Sequence, residues 1–211
     1  MPILNPAQVA PPTDLATVVE SEIKEWHFHI YFHQTNQAEH QAALRLRDAV
    51  LRLRRDGAFV AVPLYRVNTA PIGPHPVGSY EIWVPSECFS SVYSYLLLNR
   101  NNLSILVHPL TKEPRKSVHF LSTNFFALTT YSTSRDHDIR ATWMGNPYPL
   151  DLSTLPNRAD ELPVQYTSLK LGYTATPTMT LEMRLKLGTN VEHLLASEKE
   201  AAKAPPREQQ H

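Results

Sequence analysis

The chain is predicted to be an α+β domain with helices on one face of an antiparallel sheet, and three observations carry that prediction. Apolar patterns of strand and helix type follow in the order strand, helix, strand, strand, helix, strand between Trp26 and His108. Gly, Pro and Asn punctuate the breaks between them. The two ends differ from the middle in composition, so one domain with extensions is expected from 211 residues.

Residues 1–22 carry Pro2, Pro6, Pro11 and Pro12 among small and polar residues, which predicts a disordered arm. Trp26 to Phe32 alternates with period two and reads as the first strand, with His27, His29 and Tyr31 on one face and Trp26, Phe28, Ile30 and Phe32 on the other. Asn36 with Glu39 three residues on has the form of a capping box. Ala42, Leu46, Ala49, Val50 and Leu53 then recur at helical spacing until Gly57 stops the helix. The five arginines from Arg45 to Arg55 flank that stripe as a solvated face.

Phe59 to Val67 is the second strand, placed at an edge or bulge by Pro63. The loop from Asn68 to Gly78 holds His75 stiffly between two prolines. Ser79 to Val84 is the third strand, and Pro85 and Ser86 open a helix with the stripe Phe89, Val92, Tyr93, Leu96 and Leu97. Leu103 to His108 is the fourth strand. This order is that of a ferredoxin-like βαββαβ sandwich, the domain spanning about residues 23–156. Past Pro109, Val118 to Phe120 and Phe125 to Leu128 suggest a further strand or a segment closing over the site. Residues 157–211 form an extension, partly helical between Thr178 and Ser197, whose amphipathic stretch from Leu181 to Leu195 suits docking better than membrane anchoring.

Twenty basic residues balance twenty acidic ones, which argues against bulk nucleic-acid or anionic-membrane binding. The lone Cys88 allows no internal disulfide and reads as a small buried hydrophobe. With no apolar run of membrane-span length, a cytoplasmic location is expected. Neither a glycine-rich phosphate loop nor a Gly-x-Ser-x-Gly motif is present, so nucleotide-dependent and α/β-hydrolase chemistries have no support.

The ten histidines are the chemical signal. His27 and His29 leave one face of a strand roughly 7 Å apart at the backbone, close enough to converge on one metal. His75 leads into the third strand beside the first, and His108 ends the fourth, which is expected at an edge beside the second. Imidazole suits iron, zinc and copper, and a facial non-haem Fe(II) site adds one carboxylate to two histidines. Glu81, in the third strand, is the candidate carboxylate, with a solvent-facing glutamate as its alternative. His119 and His137 are candidates for supporting or acid–base groups. His33, His40, His193 and His211 are expected to face solvent.

Trp26 to Phe32, Gly-Pro-His-Pro at 73–76 and Leu-Val-His-Pro-Leu-Thr at 106–111 resemble the motifs of the DOPA 4,5-dioxygenase family. Asp136-His137, Ala141 to Gly145 and Pro149 to Asp151 extend the resemblance, which covers about Glu25 to Pro156. It implies a dimeric, ferredoxin-like extradiol dioxygenase that uses O2 and non-haem Fe(II) to open a catechol such as L-DOPA; zinc, which imidazole also binds, is the candidate substitute metal. Carried over, metal and catalytic roles fall on His27, His29, His75 and His108, and the resemblance does not divide them. The preferred division puts His29 and His108 on iron, His75 as a third ligand or acid–base group, His27 toward the substrate, and Glu81 as the carboxylate. The alternative from another class is a non-catalytic module that binds metal or a small molecule without turnover.

Overall fold

The computed structural model describes residues 11–111, 135–155, 162 and 164–205. Among them, strands β1 (Glu25–Phe32), β2 (Val62–Pro63), β3 (Gly78–Pro85), β4 (Ser104–Pro109) and β5 (Thr142–Met144) form one antiparallel sheet in the order β2-β3-β1-β4-β5. Four helices accompany it, α1 (Leu15–Glu20), α2 (Gln37–Arg55), α3 (Phe89–Asn99) and α4 (Leu181–Leu195). The fold is therefore α+β.

The alternation in β1 sorts the sheet into two faces of different chemistry. Phe28, Ile30 and Phe32 join Tyr80, Ile82 and Val84 of β3 and Ile105 and Val107 of β4 in one buried cluster, closed by Ala43, Leu46 and Val50 of α2 and Val92 and Leu96 of α3. Helices α2 and α3 thus cover the apolar face. Asn36 caps α2 by accepting from the amides of Ala38 and Glu39, while Glu39 reaches back to the backbone N–H of His33. Gly57, at φ +84°, ends the helix in the left-handed turn that glycine takes without strain.

Three expectations are corrected. β4 does not lie beside β2: it pairs with β1, with His27 directly opposite His108. The physical reason is the crossover, since α3 carries the chain from β3 across the apolar face and sets down a parallel strand on the far side of β1. The second strand is reduced to Val62–Pro63. After the Leu64 amide donates to the Glu81 carbonyl, pairing lapses and resumes only where Asn68 exchanges two backbone hydrogen bonds with Ser79. Finally, residues 15–20 of the expected arm are helical, because Asp14 accepts from the amide of Thr17 and caps a short helix. The strand or closing segment suggested at 118–128 lies outside the described residues, and the fifth strand comes instead from Thr142–Met144.

The chain divides into two compact units, residues 23–175 and a smaller one formed by 1–22 with 176–211. In the smaller unit Thr180 caps α4, and Arg184 pairs with Glu22 at 3.1 Å. The larger unit extends past the expected boundary at 156. Buried Glu25 accepts from the indole N–H of Trp83 (2.8 Å) and the amide of Tyr173, and the Tyr173 hydroxyl donates to the carbonyl of Leu110. Among the described residues no helix is long and apolar enough to cross a membrane.

Candidate active site

The second face of the sheet carries the chemistry. His27, His29 and Tyr31 leave β1 on this side by the same alternation that buries Phe28 and Ile30 on the other. Register sets their neighbours: His108 lies across from His27 on β4, and Glu81 across from His29 on β3. The loop 68–78 brings His75 over the face, and a single helical turn, Arg135–His137, brings His137. All four histidines singled out above, together with Glu81, therefore meet in one place.

Nε2 of His29 and Nε2 of His108 are 3.0 Å apart. The Nδ1–H of His108 donates to the carbonyl of Pro109 at 2.9 Å, which leaves a lone pair on its Nε2 in the neutral ring. Two ring nitrogens aimed at one another cannot both present lone pairs, so without an ion His29 must carry its proton on Nε2. His27 Nε2 is buried and lacks a hydrogen-bond partner among the described residues, although Glu81 Oε1 lies 3.3 Å away. Glu81 Oε2 is 3.9 Å from His29 Nε2.

Burial dominates the electrostatics. Desolvation lowers the pKa of His27 and of His108 to about 3 and that of His75 to about 4, and it holds His29 well below the ordinary value. Repulsion among the rings adds to this for His27, His29 and His108. Burial also raises Glu81 to about 7, so its contacts with His27 and His29 are not ion pairs between full charges. Neutral imidazoles with available lone pairs are the form that binds metal.

These residues fit an ion. His27, His29 and His108 each offer a nitrogen within 4.8 Å of the others, as do His29, His75 and His137. Donors about 2.1 Å from one ion and at right angles stand about 3 Å apart, the separation His29 and His108 already have. A set of histidines with one carboxylate is the donor chemistry of non-haem iron, and zinc accepts the same ligands.

His75 is engaged differently. Its Nδ1 lies 2.7 Å from the hydroxyl of Tyr31, a residue 1% exposed. The phenol has no other partner among the described residues and burial raises its pKa, so it donates to Nδ1 and leaves the His75 proton on Nε2. A cavity of about 200 Å³ opens beside His75, His29 and Glu81, bounded by Leu64, Arg66, Asn68, Ile72, Gly73 and Pro74. That volume is below the roughly 300–1,000 Å³ of drug-sized ligand sites and suits a ligand built on one ring.

The sequence assigned no role to Tyr31 and left His137 as a candidate supporting or acid–base group. His137 lies over His108 with ring centroids 3.8 Å apart. Its turn is held by Asp136, which accepts from the amide and hydroxyl of Thr111 and from Arg140. Gln165, in the segment past the expected boundary, faces His27 and partly offsets its lowered pKa. The alternation of β1 already placed Tyr31 on the histidine face, whereas no local signal marked Gln165. His119 and His211 lie outside the described residues. His33 is half exposed and pairs with Glu39.

The model of the Dopa 4,5-dioxygenase family matches residues 26–154. DOPA 4,5-dioxygenase of Amanita muscaria is 62% identical over 199 residues, 94% of this chain and 79% of that protein. An uncharacterized 21.2 kDa protein of Botryotinia fuckeliana is 36% identical over 127 residues, 59% of this chain and 60% of its own length. A crystal structure from Nostoc punctiforme aligns with a TM-score of 0.46 and 28% identity, covering 63% of this chain and 90% of that one. With its family match running from the first histidine strand through the turn that carries His137, the chain belongs to the Dopa 4,5-dioxygenase family.

Proposed function

We propose that this enzyme is an extradiol dioxygenase that opens a catechol such as L-DOPA between C4 and C5, placing both atoms of O2 in a muconic semialdehyde. The observation that carries the proposal is the facing pair His29 and His108, 3.0 Å apart, with Glu81 opposite His29 and a one-ring cavity alongside. His29 and His108 would hold Fe(II), with Glu81 as the carboxylate. Fe(II), when bound, supplies the electron path between catechol and dioxygen that ring cleavage requires. Zn(II) would occupy the same donors without redox activity.

His27, whose buried Nε2 has no hydrogen-bond partner among the described residues, is aimed at the substrate. The Tyr31 contact favours proton transfer over metal binding for His75. With the phenol donating, the ring proton sits on Nε2 facing the cavity; with the phenol accepting, it moves to Nδ1 and Nε2 can take a proton from a catechol hydroxyl. The strand order β2-β3-β1-β4, with α2 and α3 on one face, supports a ferredoxin-like core. A homodimer completes the reading, as the family resemblance implies.

The test is oxygen uptake with the visible spectrum, on protein reconstituted anaerobically with Fe(II) and then given L-DOPA, catechol or caffeate in air. Iron-dependent uptake with a new yellow product is expected. Bound metal without oxygen consumption would replace this reading by that of a non-catalytic binding module.

A further inference from the structure

The cavity beside the histidines has a second wall that the ring chemistry does not use. Leu64 pairs with Glu81 and Asn68 with Ser79, so four steps along the edge strand answer two along β3. The two surplus residues form a bulge, a device that re-aims side chains beside active sites. Arg66 stands in this bulge and lines the cavity together with His29, His75 and Glu81. Among the described residues it is the sole cationic side chain lining the cavity, and it makes no hydrogen bond or ion pair there.

We propose that Arg66 selects catechols that carry a carboxylate on their side chain, binding that carboxylate while the ring lies toward His29, His75 and Glu81. A guanidinium presents two parallel N–H groups that match the two oxygens of a carboxylate. Asn68 anchors the end of the bulge, its side-chain amide donating to the Ser79 hydroxyl at 3.5 Å, so the position of Arg66 follows from the sheet edge. Substrate class is then set by the edge strand, away from the ring-cleaving histidines. This assignment rests on the dioxygenase reading above.

The experiment compares L-DOPA and dihydrocaffeate, which carry a carboxylate, with dopamine, which lacks one, on the Fe(II)-reconstituted full chain. In Arg66→Ala the KM for the two carboxylates should rise about 10- to 100-fold, the loss of one charge-assisted pair, with dopamine keeping its KM. Arg66→Lys should recover part of the loss. Tyr65→Ala alters the same bulge at a residue 95% exposed and outside the cavity lining, and it should leave the preference intact. Calorimetric titration of Zn(II)-loaded protein should show the same selective loss of L-DOPA affinity without turnover. Parallel losses for L-DOPA and dopamine, or an identical effect in Tyr65→Ala, would overturn the role of Arg66 while leaving the dioxygenase reading standing. A wild-type protein inert toward all three catechols would overturn that reading and this assignment with it.

Discussion

Tyr31 and His75 stand 44 residues apart in the chain and 2.7 Å apart in space, the phenol on a central strand meeting the imidazole of a proline-braced loop. The hydroxyl sets which ring nitrogen carries the proton, so Tyr31→Phe should leave His75 in place with its tautomer released. Activity on L-DOPA should fall about 100-fold, the scale of one lost proton-transfer step, while iron content stays at the wild-type level. Metal analysis and the pH profile of kcat, measured together, check this. Loss of iron in Tyr31→Phe would return His75 to the ligand set.

His29→Ala and His108→Ala should abolish iron binding and oxygen uptake while the far-UV spectrum keeps its α+β form. Both side chains lie on the sheet face opposite the apolar cluster, so their removal leaves the packing against α2 and α3 untouched. Metal content by mass spectrometry and circular dichroism decide it. Unfolded variants would show that the imidazoles serve the core.

Metal-free protein should lose stability as the pH falls below 6.5. In that range the unfolded chain takes up protons on its histidines, while buried His27, His75 and His108, with pKa values of about 3, 4 and 3, remain neutral in the fold. His137, lowered to about 2, and His29 act in the same direction. Each such group costs about 1.4 kcal/mol per pH unit until its folded pKa is reached. Glu81 opposes them between its unfolded value of 4.5 and about 7, because there the fold holds a proton that the unfolded chain has released. One carboxyl against five imidazoles leaves a net loss. Urea midpoints in EDTA should therefore fall with acidification, more steeply in Glu81→Gln, and a flat profile would contradict buried neutral rings.

Gly172→Ala should destabilise the larger unit. Gly172 sits at φ +62°, and an added Cβ would lie 2.6 Å from Glu25 Cγ and 3.0 Å from the carbonyl oxygen of Lys24. A left-handed alanine in a filled space costs about 1–3 kcal/mol. Thermal unfolding should register this as a lowered Tm, and an unchanged Tm would mean that residues 171–175 do not pack on β1.

The amino-acid sequence by itself determined which side chains share a face. Period two in Trp26 to Phe32 puts His27, His29 and Tyr31 together whatever the partner strands are, and Asn36 and Gly57 bound α2 through purely local hydrogen bonding and backbone freedom. The histidine motifs also carried the family. Tertiary structure alone decided who stands opposite whom. That β4 adds to β1 and brings His108 against His27, that Glu81 turns inward, and that the edge strand bulges at Arg66 all depend on crossover and register. The contacts of Tyr31 with His75, of Asp136 with Thr111 and Arg140, and of Glu25 with Tyr173 join segments far apart in the chain. Local patterns record the burial preference of each residue, whereas pairing between distant segments is chosen by the packing of the whole sheet.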